Sequence, residues 1–359
     1  IYGVPSGTYY LNTENQGQSN YVNEWWAGTA SSFSCSDAES ISINDASVSG
    51  KNFQLDMGYS ISGTVYKSDG STRITDTNIG ISVEQGDPCG YRTGVAWADT
   101  STGSYTVYGV PPGAYYVRTD NYSQSNYVNE WWAGTASSFS CSDAESITIS
   151  SASVSGKDFQ LDMGYSISGT VYQENGSTPV NDASIGISVT QGEPCGDRTG
   201  VAWTDTSTGS YTVYGLPPGI YYVNTENNGQ SNYVNEWWAG TASSFYCSGA
   251  EAITISDASV TGKDFQLDTG YSISGTIYQS DGDTPVTDAN IGISVEQGDP
   301  CGNRTGVAWN NTSDGTYTVS GLPPGTYYVR TENNGQSNYV NEWWAGTASA
   351  YLSDCSAAE

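Results

Sequence analysis

The chain has 359 residues, 38 of them acidic and 10 basic, for a net charge of −28. Acids spread along the whole length exclude nucleic acid as a partner, which needs clustered Lys and Arg against phosphate. The absence of His excludes Ser-His-Asp and Cys-His catalysis, and no apolar run approaches the roughly 18 residues of a membrane helix.

Residues 1–57 read as the back half of a repeating unit, because Ile1-Tyr-Gly-Val-Pro aligns with Val107-Tyr-Gly-Val-Pro. The stretch Asn-Tyr-Val-Asn-Glu-Trp-Trp-Ala-Gly-Thr-Ala-Ser sets the period. It starts at Asn20, Asn126, Asn232 and Asn338, an interval of 106 residues each time. Recurrence at a fixed long period means repeated structural units. Complete units run over 58–163 and 164–269, and a last unit over 270–359 has no counterpart to Ala252–Asp268.

The unit 164–269 shows the elements. Tyr165-Ser-Ile-Ser-Gly-Thr-Val-Tyr alternates apolar and polar residues, the period of a half-buried strand. Glu174-Asn-Gly-Ser is a turn, and Ile185, Ile187 and Val189 share one face of the next strand. Gly192-Glu-Pro-Cys-Gly is a loop, followed by a strand with Val201 and Trp203 on one face. By the same alternation Trp97, Trp203 and Trp309 are core residues. Ser210-Tyr-Thr-Val-Tyr and Ile220-Tyr-Tyr-Val-Asn are strands joined through Leu216-Pro-Pro-Gly, whose proline and glycine suit a tight turn. Asn232–Trp238 reads as a further strand and Thr241–Ala250 as an irregular loop. Ala252-Ile-Thr-Ile-Ser and Lys263-Asp-Phe-Gln-Leu-Asp close the unit. Seven to nine short strands per unit, with no 3.6-residue period, predict an all-β fold of tandem antiparallel sandwiches. Linkers are nearly absent, so successive units are expected to be closely spaced and semi-rigid.

The seven cysteines form two series, and each unit holds one of each. This pairs Cys89 with Cys141, Cys195 with Cys247, and Cys301 with Cys355, and leaves Cys35 with a partner upstream. One regular disulfide per unit implies an oxidising compartment, extracellular or at the cell surface.

Ile273-Ser-Gly-Thr-Ile-Tyr, Thr284-Pro-Val-Thr-Asp-Ala and Gly315-Thr-Tyr-Thr-Val-Ser-Gly-Leu-Pro-Pro-Gly-Thr-Tyr-Tyr-Val carry a family resemblance. The chain resembles tandem carboxypeptidase regulatory-like domains. The resemblance implies a transthyretin-like (prealbumin-like) Greek-key sandwich and brings no catalytic residues with it. Such domains occur as accessory modules of secreted enzymes and as repeats of prokaryotic surface proteins.

Several constellations invite a functional reading. Adjacent tryptophans on a strand point to opposite faces. The pairs Trp25/Trp26, Trp131/Trp132, Trp237/Trp238 and Trp343/Trp344 are therefore read as core and domain packing, or as platforms for stacking sugars. Ca²⁺ is the one ion this acid surface suggests, with Asp162 and Asp268 at the unit junctions as its ligands; no other cofactor is implied. Lys51, Lys157 and Lys263 recur in Gly-Lys-(Asn/Asp)-Phe and read as solvated turn residues rather than as partners in a Lys–Asn amide bond. Sequons stand at Asn121, Asn175, Asn303, Asn310 and Asn311.

The leading reading is a non-catalytic structural protein of an extracellular or cell-surface fibre, its partners copies of itself or further repeats of the same chain. The alternatives are a carbohydrate-binding or adhesive stalk and an accessory region of a secreted enzyme. More repeats are expected on both sides of these residues.

Overall fold

A computed structural model describes the chain except residues 2, 16, 45, 87–91, 98–100, 183, 197, 204, 206, 228, 241, 289, 301–303, 310–312, 334–336, 347, 352–354 and 356–357. The side chains of 92–97, 198–199, 201, 203, 242, 304–309 and 348–351 are likewise outside the description, and Trp97, Trp203 and Trp309 are among them.

The structure is all-β, built from repeated two-sheet sandwiches. In residues 58–163 the opening strand Tyr59–Lys67 buries Ile61 and Val65 and leaves the alternate positions part-exposed. It pairs antiparallel with Ser104–Val110 and parallel with Phe159–Leu161, which makes one sheet. The facing sheet runs in the order Ala136–Ser138, Trp131–Ala133, Gly113–Asp120, Gly80–Gln85, Arg92–Trp97. Ile147–Ile149 pairs with the beginning of Gly113–Asp120. Between the sheets lie Ile61, Val65, Ile81, Val83, Val117, Phe159 and Leu161, all at most 1% exposed. Fully burying one such side chain stabilises the fold by about 1.5–3 kcal/mol. Residues 164–269 repeat this arrangement around a second core, from Ile167 to Leu267. The register recurs as well, with Val171 opposite Phe265 as Val65 is opposite Phe159.

Two local features differ from the sequence reading. The sandwich is not wholly antiparallel, because the closing strand Phe159–Leu161 runs parallel to the opening one. Its backbone passes over Gly63, where a Cβ would overlap the Lys157 carbonyl oxygen, and the Tyr105 hydroxyl donates to that same oxygen at 2.6 Å. The expected strand Asn232–Trp238 is extended only at its end. Trp237–Ala239 and Ala242–Ser244 form a short hairpin, and a 3₁₀ turn Cys247–Gly249 follows. The equivalent hairpin Trp131–Ala133/Ala136–Ser138 turns at Gly134 with φ of 78°. Two-residue hairpin turns need this positive φ.

In residues 270–359 the opening strand Tyr271–Thr276 pairs only with Thr316–Leu322 among the described residues. In residues 1–57, Gly7–Tyr9 pairs with Ile41–Ile43, and Trp25–Ala27 with Ala30–Ser32.

Candidate functional site: the junction between repeats

The repeated Asn-Tyr-Val-Asn-Glu-Trp-Trp stretch builds the seam between consecutive units. Asn121 is 2% exposed and organises a tight loop. Its Oδ1 accepts from the Ser123 N–H at 2.6 Å, its backbone N–H donates to Asn129 Oδ1 at 2.7 Å, and its Nδ2 donates to the Tyr127 carbonyl. The connector Asp162-Met163-Gly164 lies antiparallel against this loop. Val128 N–H donates to the Asp162 carbonyl at 3.0 Å, and Gly164 N–H to the Asn126 carbonyl at 2.7 Å.

The next unit docks on the other side of the loop. A Cβ on Gly164 would stand 2.7 Å from the Gly215 carbonyl carbon. Gly215, with φ of 68°, has no room for a Cβ beside Asn121 Nδ2 and the Tyr127 and Ser125 carbonyls. Tyr214 N–H donates to the Ser123 carbonyl at 3.2 Å. The junction thus rests on backbone groups and two facing glycines. It recurs on either side. Gly109 seats on Tyr21, Asn15 and Ser19, with Tyr108 N–H donating to the Gly17 carbonyl at 2.9 Å. Gly321 seats on Tyr233, Asn227 and Ser231, with Ser320 N–H donating to the Gly229 carbonyl at 2.9 Å.

Glu130 ties the connector to the tryptophan strand. Its Oε1 accepts from the Asp162 N–H at 2.8 Å, as Glu24 does from Asp56 at 2.7 Å and Glu236 from Asp268 at 2.9 Å. Burial pushes Glu130 and Glu236 up to about 7, against the lowering effect of that hydrogen bond. The neighbouring charges of Asp162 and Asp268 add a smaller upward push. The side chains of Asp162 and Asp268 are exposed. Among the described residues, no group of three or more His, Cys, Asp or Glu converges as a cation site.

The paired tryptophans divide between two environments. Trp132 joins the core at 7% exposed, with Lys157 Nζ 4.0 Å from its ring centroid. Trp26 and Trp238 are covered by Lys51 and Lys263 at the same distance. These lysines are half-buried over indole faces rather than solvated, and none makes an ion pair among the described residues. The indole Nε1 of Trp26, Trp132 and Trp238 is buried without a hydrogen-bond partner.

Trp131 faces the other way, yet it too is only 6% exposed. The Arg118 guanidinium lies 5.3 Å from its ring centroid, and Arg118 Nε sits 3.1 Å from Glu84 Oε1. Trp343 is 3% exposed under Arg330, whose Nε is 2.7 Å from Glu296. In the unit between them Asn224 and Thr190 occupy the Arg and Glu positions, and Trp237 is half-buried, as is Trp25 beside Asn12. Trp344 is 53% exposed. Trp131 and Phe139 of one unit line a cleft of 420 Å³ with Gln191, Pro217 and Tyr221 of the next. The joint switch from Glu/Arg to Thr/Asn between units is a sequence signal that marks this contact.

Cys195 and Cys247 form a disulfide with Cα atoms 5.5 Å apart. Cys141 and Cys355 are also disulfide-bonded, while Cys89 and Cys301 lie outside the described residues. Cys35 is exposed and makes no disulfide among the described residues. The sequon asparagine Asn121 is spent inside the junction loop. Asn175 is exposed and donates to Thr178 Oγ1 at 2.8 Å; Asn303, Asn310 and Asn311 lie outside the described residues. No helix among the described residues is long and apolar enough to cross a membrane.

No family model matches the chain, and no curated protein matches it in sequence. Solved structures that it resembles include a streptococcal ancillary pilin, at 12% identity over 76% of this chain and 88% of the pilin, TM-score 0.24. The minor pilin GBS52 of Streptococcus agalactiae matches at 14% identity over 59% of this chain and 96% of that one, TM-score 0.23. Two B repeat units of the collagen-binding protein of Staphylococcus aureus match at 12% identity over 78% and 71%, TM-score 0.19.

Proposed function

We propose that this chain is a non-catalytic structural protein of an extracellular or cell-surface fibre, with units 58–163 and 164–269 as complete, transthyretin-like modules. The carrying observation is the junction itself. Between units the Gly215 turn seated on the Asn121 loop, a connector hydrogen-bonded to that same loop and a buried glutamate replace a flexible linker. An array joined in this way transmits load through backbone contacts and stays stiff without any free chain. The disulfide between Cys195 and Cys247 suits an oxidising exterior. Electron microscopy of the native material tests the reading: continuous filaments with an axial repeat matching the unit are expected, and separate compact particles would refute it.

A further inference from the structure

One junction differs from its copies. Between units 58–163 and 164–269 the loop reads Asp120-Asn-Tyr-Ser, where the equivalent positions read Glu14-Asn-Gln-Gly, Glu226-Asn-Asn-Gly and Glu332-Asn-Asn-Gly. Glycine suits the left-handed backbone of this turn, and Gly17 and Gly229 take it with φ of 70° and 77°. Tyr122 and Ser123 adopt it without that freedom, at φ of 47° and 57°. Backbone held in such sparsely populated regions gathers at functional sites, where a side chain is placed at a cost in stability. Two contacts fix the loop. Asp120 Oδ1 accepts from the Tyr122 N–H at 3.2 Å, and Ser123 Oγ packs on Gly200 of the next unit, where an added Cβ would stand 2.5 Å from it.

The tyrosine so placed lines the 420 Å³ cleft between the two units, a volume in the range of small-molecule sites. We propose that this cleft binds a neutral saccharide. Phe139, 63% exposed, and Tyr122 offer aromatic faces to the C–H face of a pyranose ring. Trp131 offers none, because it is 6% exposed and carries Arg118 over its ring. Partners for sugar hydroxyls stand around the aromatics. The Asp120 carboxylate accepts, and Gln191 of the next unit both donates and accepts. Asn129 spends its Oδ1 on the Asn121 N–H at 2.7 Å, while its Nδ2 has no partner among the described residues. The wall from the next unit is preformed, with the Tyr221 hydroxyl donating to the Pro217 carbonyl at 2.6 Å. Charge selects the ligand class. Asp120 and the net charge of −28 oppose an anion, and the guanidinium over Trp131, itself paired with Glu84, fills the place a cation would take. The junctions on either side keep exposed Phe33 and Phe245 but lack the tyrosine, so a sugar there would meet one aromatic face instead of two. This binding role is separate from the fibre reading and does not depend on it.

Saturation-transfer NMR on the full chain tests the proposal, with methyl glycosides of glucose, galactose, mannose and N-acetylglucosamine, and with cellobiose and maltose, as probes. Transfer to the C–H protons of at least one of these neutral sugars is expected. Phe139→Ala should weaken that binding about tenfold, the worth of one stacked aromatic. Tyr122→Asn/Ser123→Gly should weaken it as much while the protein stays folded, because the glycine relieves the left-handed backbone. Phe33→Ala, at the equivalent exposed position of the preceding junction, is the control and should leave binding unchanged. Absence of transfer to every one of these sugars would overturn the proposal, as would equal weakening by Phe33→Ala and Phe139→Ala. Tighter binding of N-acetylneuraminic acid than of any neutral probe would overturn the ligand class.

Discussion

The loop at the first complete junction carries a conformational load that its copies avoid. Tyr122 and Ser123 have φ of 47° and 57°, the only non-glycine residues in the left-handed region among those described. The equivalent positions hold Gln16-Gly17, Asn228-Gly229 and Asn334-Gly335, and Gly17 and Gly229 take φ of 70° and 77°. Left-handed backbone costs a residue with a Cβ about 1–2 kcal/mol, and asparagine tolerates it better than tyrosine. Glycine gives back about 0.5–1 kcal/mol through the extra freedom of the unfolded chain. The double change Tyr122→Asn/Ser123→Gly should therefore stabilise the structure by about 1 kcal/mol. The Ser123 carbonyl that accepts from Tyr214 is kept, because it belongs to the backbone. For a domain of this size that is a rise of about 4–8 °C in the melting transition. Differential scanning calorimetry measures the shift, and amide exchange at Tyr214 reports whether the junction hydrogen bond strengthens. An unchanged or lowered transition would show that the Tyr122 and Ser123 side chains hold the loop by contacts worth more than the strain.

Gly215→Ala, which places a Cβ against the Asn121 loop, should leave each sandwich folded and loosen the seam, and small-angle scattering should show a broader distribution of shapes. Glu130 and Glu236 give a pH dependence. Their folded values near 7 exceed the ordinary 4.5, so the folded state binds protons more tightly between those limits. Stability from this source is fully present below about pH 4.5 and is lost as pH rises towards 7, by at most about 3 kcal/mol per site; Glu130→Gln should flatten the curve. Below pH 4 the opposite trend enters, because Asp69 and Asp205, held low by hydrogen bonds from following residues, stay charged in the folded chain while the unfolded chain takes up protons. Trp132→Ala should cost about 3–5 kcal/mol and Lys157→Ala about 1 kcal/mol, read by denaturant titration; equal costs would mean that the lysine does more than cover the indole.

Strand positions were legible because alternation is local: Ile61 and Val65, or Ile187 and Val189, announce their faces within a few residues. The pairing of the closing strand was not legible. Phe159 meets Val65 across 94 residues, and nothing near either says whether the pair runs parallel. The conspicuous Trp-Trp stretch pointed to the right place with an incomplete account. Its tryptophans could be assigned to opposite faces, but the cations above them come from Lys157, two strands later, and Arg118, one strand earlier. The asparagines and serines before it look like turn composition. Only the fold shows that Asn121, Ser125 and Tyr127 form the seat for Gly215.

The alternation at the Arg118 position has a consequence for how the array presents itself. Asn12, Arg118, Asn224 and Arg330 follow one another, with Glu84 and Glu296 ion-paired to the arginines and Thr190 at the glutamate position beside Asn224. Structurally the array repeats every unit, but the chemistry of this face repeats every second unit. A lateral neighbour reading the Glu–Arg pair could bind in only half of the registers that the fold allows.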